Sequence, residues 1–332
     1  MMDMRKLAAV ATTVAATVPA FTGTALASAG NQRVDGVRAG IHHGTLEVRG
    51  GDADNRIALR LKAGDPGVIQ VDVGDNNSAD ISFDRADVSE IDVRGGDGSD
   101  ALRIDDSNGS FTNSIPTTIW GGDGSDRLGG GLGNETFRGG DGNDSVVGGK
   151  GADTAYLGDG DDSFRWDNGD GSDVIEGQDG SDTMVFNGAA GPETATLTAN
   201  GQRVTFFRVQ GNVTMDTRGV ETVDDNTLGG ADSVTVNDLS GTDVSQVNID
   251  LAGALGGNAG DSTVDNVVVN GTEGDDNIAI NGSASQADVT GLASAVSVKH
   301  PDAADKLSVN TLGGNDSVFT SGVSGLLDLL VI

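Results

Sequence analysis

GGDGNDSVVGGKGADTAY, residues 139–156, is one nine-residue phrase written twice, with Lys150 in the second copy where the first has Asp141. The phrase is Gly-Gly-x-Gly-x-Asp-x-(apolar)-x. It recurs in tandem from Gly121 as GGDGSDRLG, GGLGNETFR, GGDGNDSVV, GGKGADTAY and LGDGDDSFR. After an inserted Trp166-Asp167 come NGDGSDVIE and GQDGSDTMV, so seven units end at Val185. The eighth position reads Leu128, Phe137, Val146, Ala155, Phe164, Ile175 and Met184, apolar in every unit. Glycines at the first, second and fourth positions open backbone angles closed to other residues, so the first six residues can form a tight turn. The last three make a short strand whose central side chain points away from its neighbours' side. One such strand cannot bury its face alone, but stacked copies build a continuous thin core. The phrase therefore predicts an all-β fold, a parallel β-roll or β-solenoid.

Composition alone pulls the other way. The 53 glycines in 332 residues are about twice the usual frequency of roughly 7%. With a formal net charge of −31 and only 4% aromatic residues, such a chain resembles an acidic disordered protein. The unbroken apolar eighth position argues against that reading. The charge should repel nucleic acid and anionic membranes and attract cations. With no cysteine, stability must come from packing, hydrogen bonds or a bound ion rather than disulfides.

Outward from the run the pattern loosens. A lone copy, GGDGSDALR, stands at 95–103, out of register with the block and with no matching unit at the required spacing. GGDADNRIALRL (50–61), GGADSVTVN (229–237), GTEGDDNIAI (271–280) and GGNDSVFT (313–320) each run a Gly-Asp turn into an alternating strand. Asp232, Asp275, Asp276 and Asp316 in these shorter turns read as structural. The predicted organisation is a flank over 28–120, the β-roll over 121–188 and a β-rich flank over 189–332. The flanks read as wider, irregular coils of the same solenoid, with a separate β-sandwich as the alternative. The N-terminal run LAAVATTVAATVPAF followed by TGTALASAG has a signal-peptide layout over 1–27, with cleavage after Ala27 or Ala29. No later segment is long and apolar enough to span a bilayer, so a secreted, extracellular protein is expected. The apolar GLLDLLVI at 325–332 reads either as a last paired core strand or as an open edge for self-association or a surface partner.

Over residues 121–186 the tandem run resembles the hemolysin-type (RTX) calcium-binding repeat family. FRWDNGDGSDVIEGQDGSDTMVFNG, 164–188, is similar to the way bacterial members close their block. The resemblance implies a β-roll in which two nonapeptides complete one turn, with calcium held between units two apart. It assigns carboxylates to the sixth-position Asp126, Asp144, Asp162, Asp173 and Asp182, with Asp153 joining more weakly and turn carbonyls completing the shell. Third-position Asp123, Asp141, Asp159, Asp170 and Asp179 would be supporting ligands or local charge. Calcium is a hard cation that takes six to eight oxygens, so the residue types fit; plain turn formation is the competing role for aspartate. Asp97 and Asp100 match the repeat, but their isolation leaves calcium there open. The units starting at 121, 139, 157 and 177 should share one side, with the two-residue insertion looped out. Those at 130, 148 and 168 should share the other, where Leu132, Lys150 and Glu135 break the acidic pattern. An ammonium has only donors and cannot bind calcium; Lys150 should instead partly neutralise a neighbouring carboxylate.

Catalytic patterns are sparse. His42, His43 and His300 form no H-E-x-x-H, and no G-x-S-x-G elbow occurs. His42-His43 reads as a solvated loop and Trp166 as a cap or edge residue. No long apolar pore-forming region and no protease or lipase domain accompanies the repeats, so the resemblance describes the repeat and does not imply cytolysis. The expected function is a non-enzymatic, calcium-binding surface or matrix component, with adhesion as the expected role. A secreted hydrolase with a site in the flanks is the rival.

Overall fold

The computed structural model describes residues 31–332, so the expected signal segment lies outside the described residues. Its strands form two long sheets, one of 15 strands and one of 14. Inside the repeat block, successive strands alternate between them. Thr117–Asp123, Glu135–Asp141, Thr154–Asp159 and Val174–Asp179 lie in the larger sheet; Arg127–Gly129, Ser145–Val147, Ser163–Asp167 and Thr183–Asn187 lie in the smaller. Each nonapeptide thus supplies one strand, and two make one turn of a parallel roll. Register follows the sequence period: Leu128 pairs with Val146 and Val146 with Phe164, while Ile119 pairs with Phe137 and Phe137 with Ala155. Their side chains are buried between the sheets. Each fully buried valine, leucine or phenylalanine contributes about 1.5–3 kcal/mol.

The unit at 95–103 is part of the roll. Glu90–Asp97 pairs in parallel with Thr117–Asp123, matching Asp97 to Asp123, and Ala101–Asp105 pairs with Arg127–Gly129, matching Leu102 to Leu128. Its distance in sequence hid this. Residues 106–116 replace the tight turn between Ala101–Asp105 and Thr117–Asp123 with a longer irregular connection, held by buried Phe111 and Ile115.

The Trp166-Asp167 insertion is not looped out. It lengthens its strand, pairing Trp166 with Phe186 and Asp167 with Asn187. Trp166 is core, 1% exposed, and stacks on Phe186 at 4.1 Å and 3°; Phe206 continues the pile 4.4 Å from Phe186. The indole is satisfied because its Nε1 donates to the Gly171 carbonyl (2.7 Å). A large ring with one polar handle can be buried once that handle is bonded.

The flanks continue the same two sheets. Three-stranded antiparallel meanders are spliced into the parallel stacks, at Val37–His42 with its neighbours, at Arg56–Lys62, Asp65–Val73 and Ile81–Asp84, and at Thr194–Asn200, Arg203–Arg208 and Val213–Arg218. A further one joins Asn277–Gly282, Gln286–Thr290 and Ala295–Lys299. His43 has a place in this scheme: with Gly44 it forms a two-residue hairpin at φ 52° and 88°, the left-handed pair that matches strand twist. At the far end Asp328–Val331 pairs with Lys306–Asn310, while Phe319, Leu330 and Ile332 remain exposed.

Candidate cation sites in the glycine-aspartate turns

The turns leading from the larger sheet to the smaller lie in a column, and the sixth-position carboxylates tie it together. The backbone N–H of Asp100 donates to Asp126 Oδ1 (2.7 Å), Asp126 to Asp144 Oδ1 (2.8 Å), Asp144 to Asp162 Oδ1 (2.6 Å) and Asp162 to Asp182 Oδ1 (2.9 Å). Asn55 N–H opens the ladder on Asp100 Oδ1 (2.6 Å), and Glu221 Oε2 closes it on Asp182 N–H (2.7 Å). One carboxylate oxygen of each aspartate is therefore spent on a buried N–H that would otherwise be orphaned.

The second oxygen has no partner. Oδ2 of Asp100, Asp126, Asp144, Asp162 and Asp182 is buried and makes no hydrogen bond. In four of these five units it lies against the unit's first glycine, Leu157 standing there in the Asp162 unit: a Cβ on Gly139 would sit 2.2 Å from Asp144 Oδ2 and 2.0 Å from the Leu157 carbonyl. That close approach requires glycine at Gly139. The second-position Gly140 is required by its angle, φ 121°.

Burial raises the carboxyls well above their ordinary range: Asp100 and Asp126 to about 6, Asp144 and Asp182 to about 7, and Asp162 in the same direction. Neighbouring carboxylates add to the rise at Asp144 and Asp182, while the donated N–H bonds oppose it. A buried, half-satisfied carboxylate is costly when ionised. A proton or a cation relieves it.

The opposite column is shorter. Glu135 N–H donates to Asp153 Oδ1 (2.7 Å) and Asp153 N–H to Asp173 Oδ1 (2.9 Å), but Asp173 N–H turns to the Thr214 carbonyl (3.1 Å) where a meander begins. Burial pushes Asp153 to about 9 and Asp173 to about 7, and raises Glu135. Their second oxygens are also unpartnered. Lys150 is exposed and makes no ion pair among the described residues. Its charge opposes the rise that burial imposes on Asp170.

The third-position aspartates behave differently from the sixth. Asp123, Asp141, Asp159 and Asp179 are exposed, and it is their backbone carbonyls that are engaged, each accepting from a glycine N–H of the preceding rung at 2.7–2.9 Å. Asp170 Oδ2 accepts from Asp167 N–H (2.9 Å), a local turn bond. The structure thus aligns the expected sixth-position residues in two columns and leaves the third-position side chains at the rim.

Sequence reading missed two parts of this arrangement. Asp100 belongs to the long ladder. Asp232, read as a plain turn residue, sits on a second one: Glu193 N–H donates to Asp232 Oδ1 (2.8 Å), Asp232 to Asp265 Oδ1 (2.8 Å) and Asp265 to Asp305 Oδ1 (3.0 Å). Asp276 and Asp316 repeat the contact on the other edge (3.0 Å). The available signal was a glycine five residues before an acid that opens an alternating strand, as in Gly188/Glu193, Gly260/Asp265 and Gly271/Asp276.

The donor set has the character of a calcium site. No three acidic or histidine side chains converge among the described residues, so a cation here would draw on one or two carboxylates and on backbone carbonyls, which suit calcium. Residues 118–136, 129–164 and 169–189 match the RTX calcium-binding nonapeptide repeat model, in 4 copies. The block is built of RTX calcium-binding repeats. Repeats of this family bind calcium ions, and the buried unpartnered oxygens of Asp126, Glu135, Asp144, Asp153, Asp162, Asp173 and Asp182 lie within the match, that of Asp100 before it. The flanks lie outside the match. No curated protein matches the chain.

Proposed function

We propose that this chain is an exported RTX protein in which calcium gates folding of the 121–188 roll between its two flanks, and that it serves as a non-enzymatic surface or matrix component, with adhesion as its role. The observation that carries the reading is the row of buried, unpartnered Oδ2 atoms on successive rungs. Asp126, Asp144, Asp162 and Asp182 would hold ions on the long side, together with Asp100, and Asp153 and Asp173 on the short side. Bound calcium supplies the positive charge that lets stacked carboxylates remain ionised. The chain's part is to hold one oxygen of each carboxylate on the neighbouring rung, leaving the other free for the ion. Inside the cell, at low calcium, carboxylate repulsion disfavours the roll; outside, at calcium levels matching extracellular modules of about 10⁻⁴–10⁻³ M affinity, it closes. The leader-like N-terminus supports export. Among the described residues no helix is long and apolar enough to cross a membrane.

A calcium titration of the protein lacking residues 1–27, followed by circular dichroism and calorimetry, tests this. Strand content should rise over the submillimolar to millimolar range. Identical spectra and heats with calcium and with chelator would sink the reading. Exposed Phe319, Leu330 and Ile332 support association of the C-terminal strands with a second copy or another surface protein. Removing residues 326–332 should then abolish self-association in sedimentation; an unchanged sedimentation coefficient refutes it.

A further inference from the structure

The outer face of the larger sheet carries a feature that calcium binding does not use. Strand register aligns Arg94, Trp120, Arg138 and Tyr156 on four neighbouring strands. The Arg94 guanidinium lies 4.7 Å from the Trp120 ring centroid, and Arg138 lies 4.8 Å from the same ring and 4.5 Å from the Tyr156 ring. Arg94 and Arg138 come from the strands on either side of Trp120, so the indole is sandwiched between guanidiniums. Direct pairing carries the column on to Arg49 and Arg38, both exposed. From Arg38 to Tyr156 the stripe crosses five strand spacings, about 24 Å at roughly 4.8 Å each.

A column of arginines is conspicuous in a chain of net charge −31, and it is only partly neutralised from within. Arg138 and Arg38 make no ion pair among the described residues; Arg94 is bonded to Asp92 on its own strand (2.7 Å) and Arg49 to Glu47 (3.0 Å). The exposed Arg49–Glu47 pair is weak and exchanges readily, whereas Asp92 holds Arg94 at two points, through Nε (2.7 Å) and Nη2 (2.8 Å). Stacking on the Trp120 and Tyr156 rings fixes the Arg138 guanidinium while leaving its N–H edge free for two-point bonding to a carboxylate.

We propose that this arginine-aromatic stripe binds a linear acidic polysaccharide, laid along the solenoid axis with its carboxylates on the guanidinium edges. Two features favour this over single-stranded nucleic acid. Sequence-tolerant strand binding needs free aromatic faces for bases, and here both faces of Trp120 are covered by arginine. A densely charged phosphate backbone would also meet the repulsion of the whole acidic molecule, whereas a sugar polymer carries sparse carboxylates. The opposing charges nearest the stripe are Asp92 and Glu47 beside it, Glu176 next in register after Tyr156 and itself paired with Arg203, and Asp97, Asp123 and Asp141 in the turns; calcium in those turns weakens their field.

The test is calorimetric titration at millimolar calcium with hyaluronate oligosaccharides, which bear one carboxylate per disaccharide. Dextran and single-stranded DNA of similar length are the comparators. Wild type should bind hyaluronate with an affinity that falls with salt, and bind dextran not at all. Arg138→Gln should weaken binding about tenfold, as expected for loss of a charged hydrogen-bond pair, with the calcium-dependent circular dichroism unchanged. Should that variant misfold, exposed Arg49→Gln and Arg38→Gln together provide the same readout. Absence of hyaluronate binding, equal binding of dextran, tighter binding of DNA, or unchanged affinity in the folded variants would each overturn the proposal.

Discussion

Calcium-free protein, prepared by chelation and dialysis, is expected to be more stable at pH 5 than at pH 8, the reverse of the trend for a fold held by salt-bridged carboxylates. The sixth-position carboxyls titrate near 3.8 when unfolded and are raised in the fold, to about 6 at Asp126 and about 7 at Asp144, Asp173 and Asp182, chiefly because they are buried. These carboxyls therefore bind more protons in the folded chain than in the unfolded one between about pH 4 and 7. Their contribution to stability is fully present below about pH 4 and is lost as pH rises through that window. Calcium should substitute for the protons, so its stabilising effect should be large at pH 8 and small at pH 5. At pH 8 and calcium at 10–100 times the dissociation constant, each occupied site contributes about 1.4–2.7 kcal/mol. Several sites together should raise the melting temperature by more than about 10 °C. Thermal unfolding followed by circular dichroism at both pH values, with and without calcium, checks this. A calcium-free melting temperature that rises or stays flat from pH 5 to 8 would falsify it.

Asp144→Ala should be far more damaging than Glu135→Ala. Asp144 lies mid-ladder: its Oδ1 accepts the buried Asp126 N–H, and its own N–H is held by Asp162. Truncation strands that N–H at a cost of about 1–3 kcal/mol and removes the buried, unpartnered Oδ2. Glu135 begins the short ladder. No preceding rung donates to it, and its Oε2 accepts only the Gly131 N–H of its own unit (2.9 Å). Calorimetry should show calcium affinity falling at least about tenfold for Asp144→Ala, a difference of some 1.4 kcal/mol, and much less for Glu135→Ala. Asp144→Asn separates ligation from folding. It keeps an acceptor for the Asp126 N–H, because an amide carries one carbonyl oxygen, but it gives up the charge. It should retain the roll at high calcium while losing affinity. Equal losses from the alanine variants would show that the two sides are equivalent.

The roll, its register and the sixth-position residues were legible in the sequence because all three are local. A nine-residue period with an apolar eighth position fixes which side chain faces in, and the family resemblance supplied the stacking at two-unit intervals and the sixth-position ligands. What lay beyond was decided by contacts between segments of irregular spacing. The copy at 95–103 joins the block because Asp100 N–H finds Asp126 Oδ1 and Leu102 finds Leu128, whatever the length of chain between them. Trp166 is core rather than edge because the inserted pair extends a strand whose partner offers Phe186. The ladder through Glu193, Asp232, Asp265 and Asp305 steps by 39, 33 and 40 residues, so no periodicity search could find it. The arginine-aromatic stripe likewise draws residues 38 to 156 from six strands. Sequence determines which side of a strand a residue occupies. Only the tertiary structure, by pairing distant strands in register, decides which residues stand next to each other on that side.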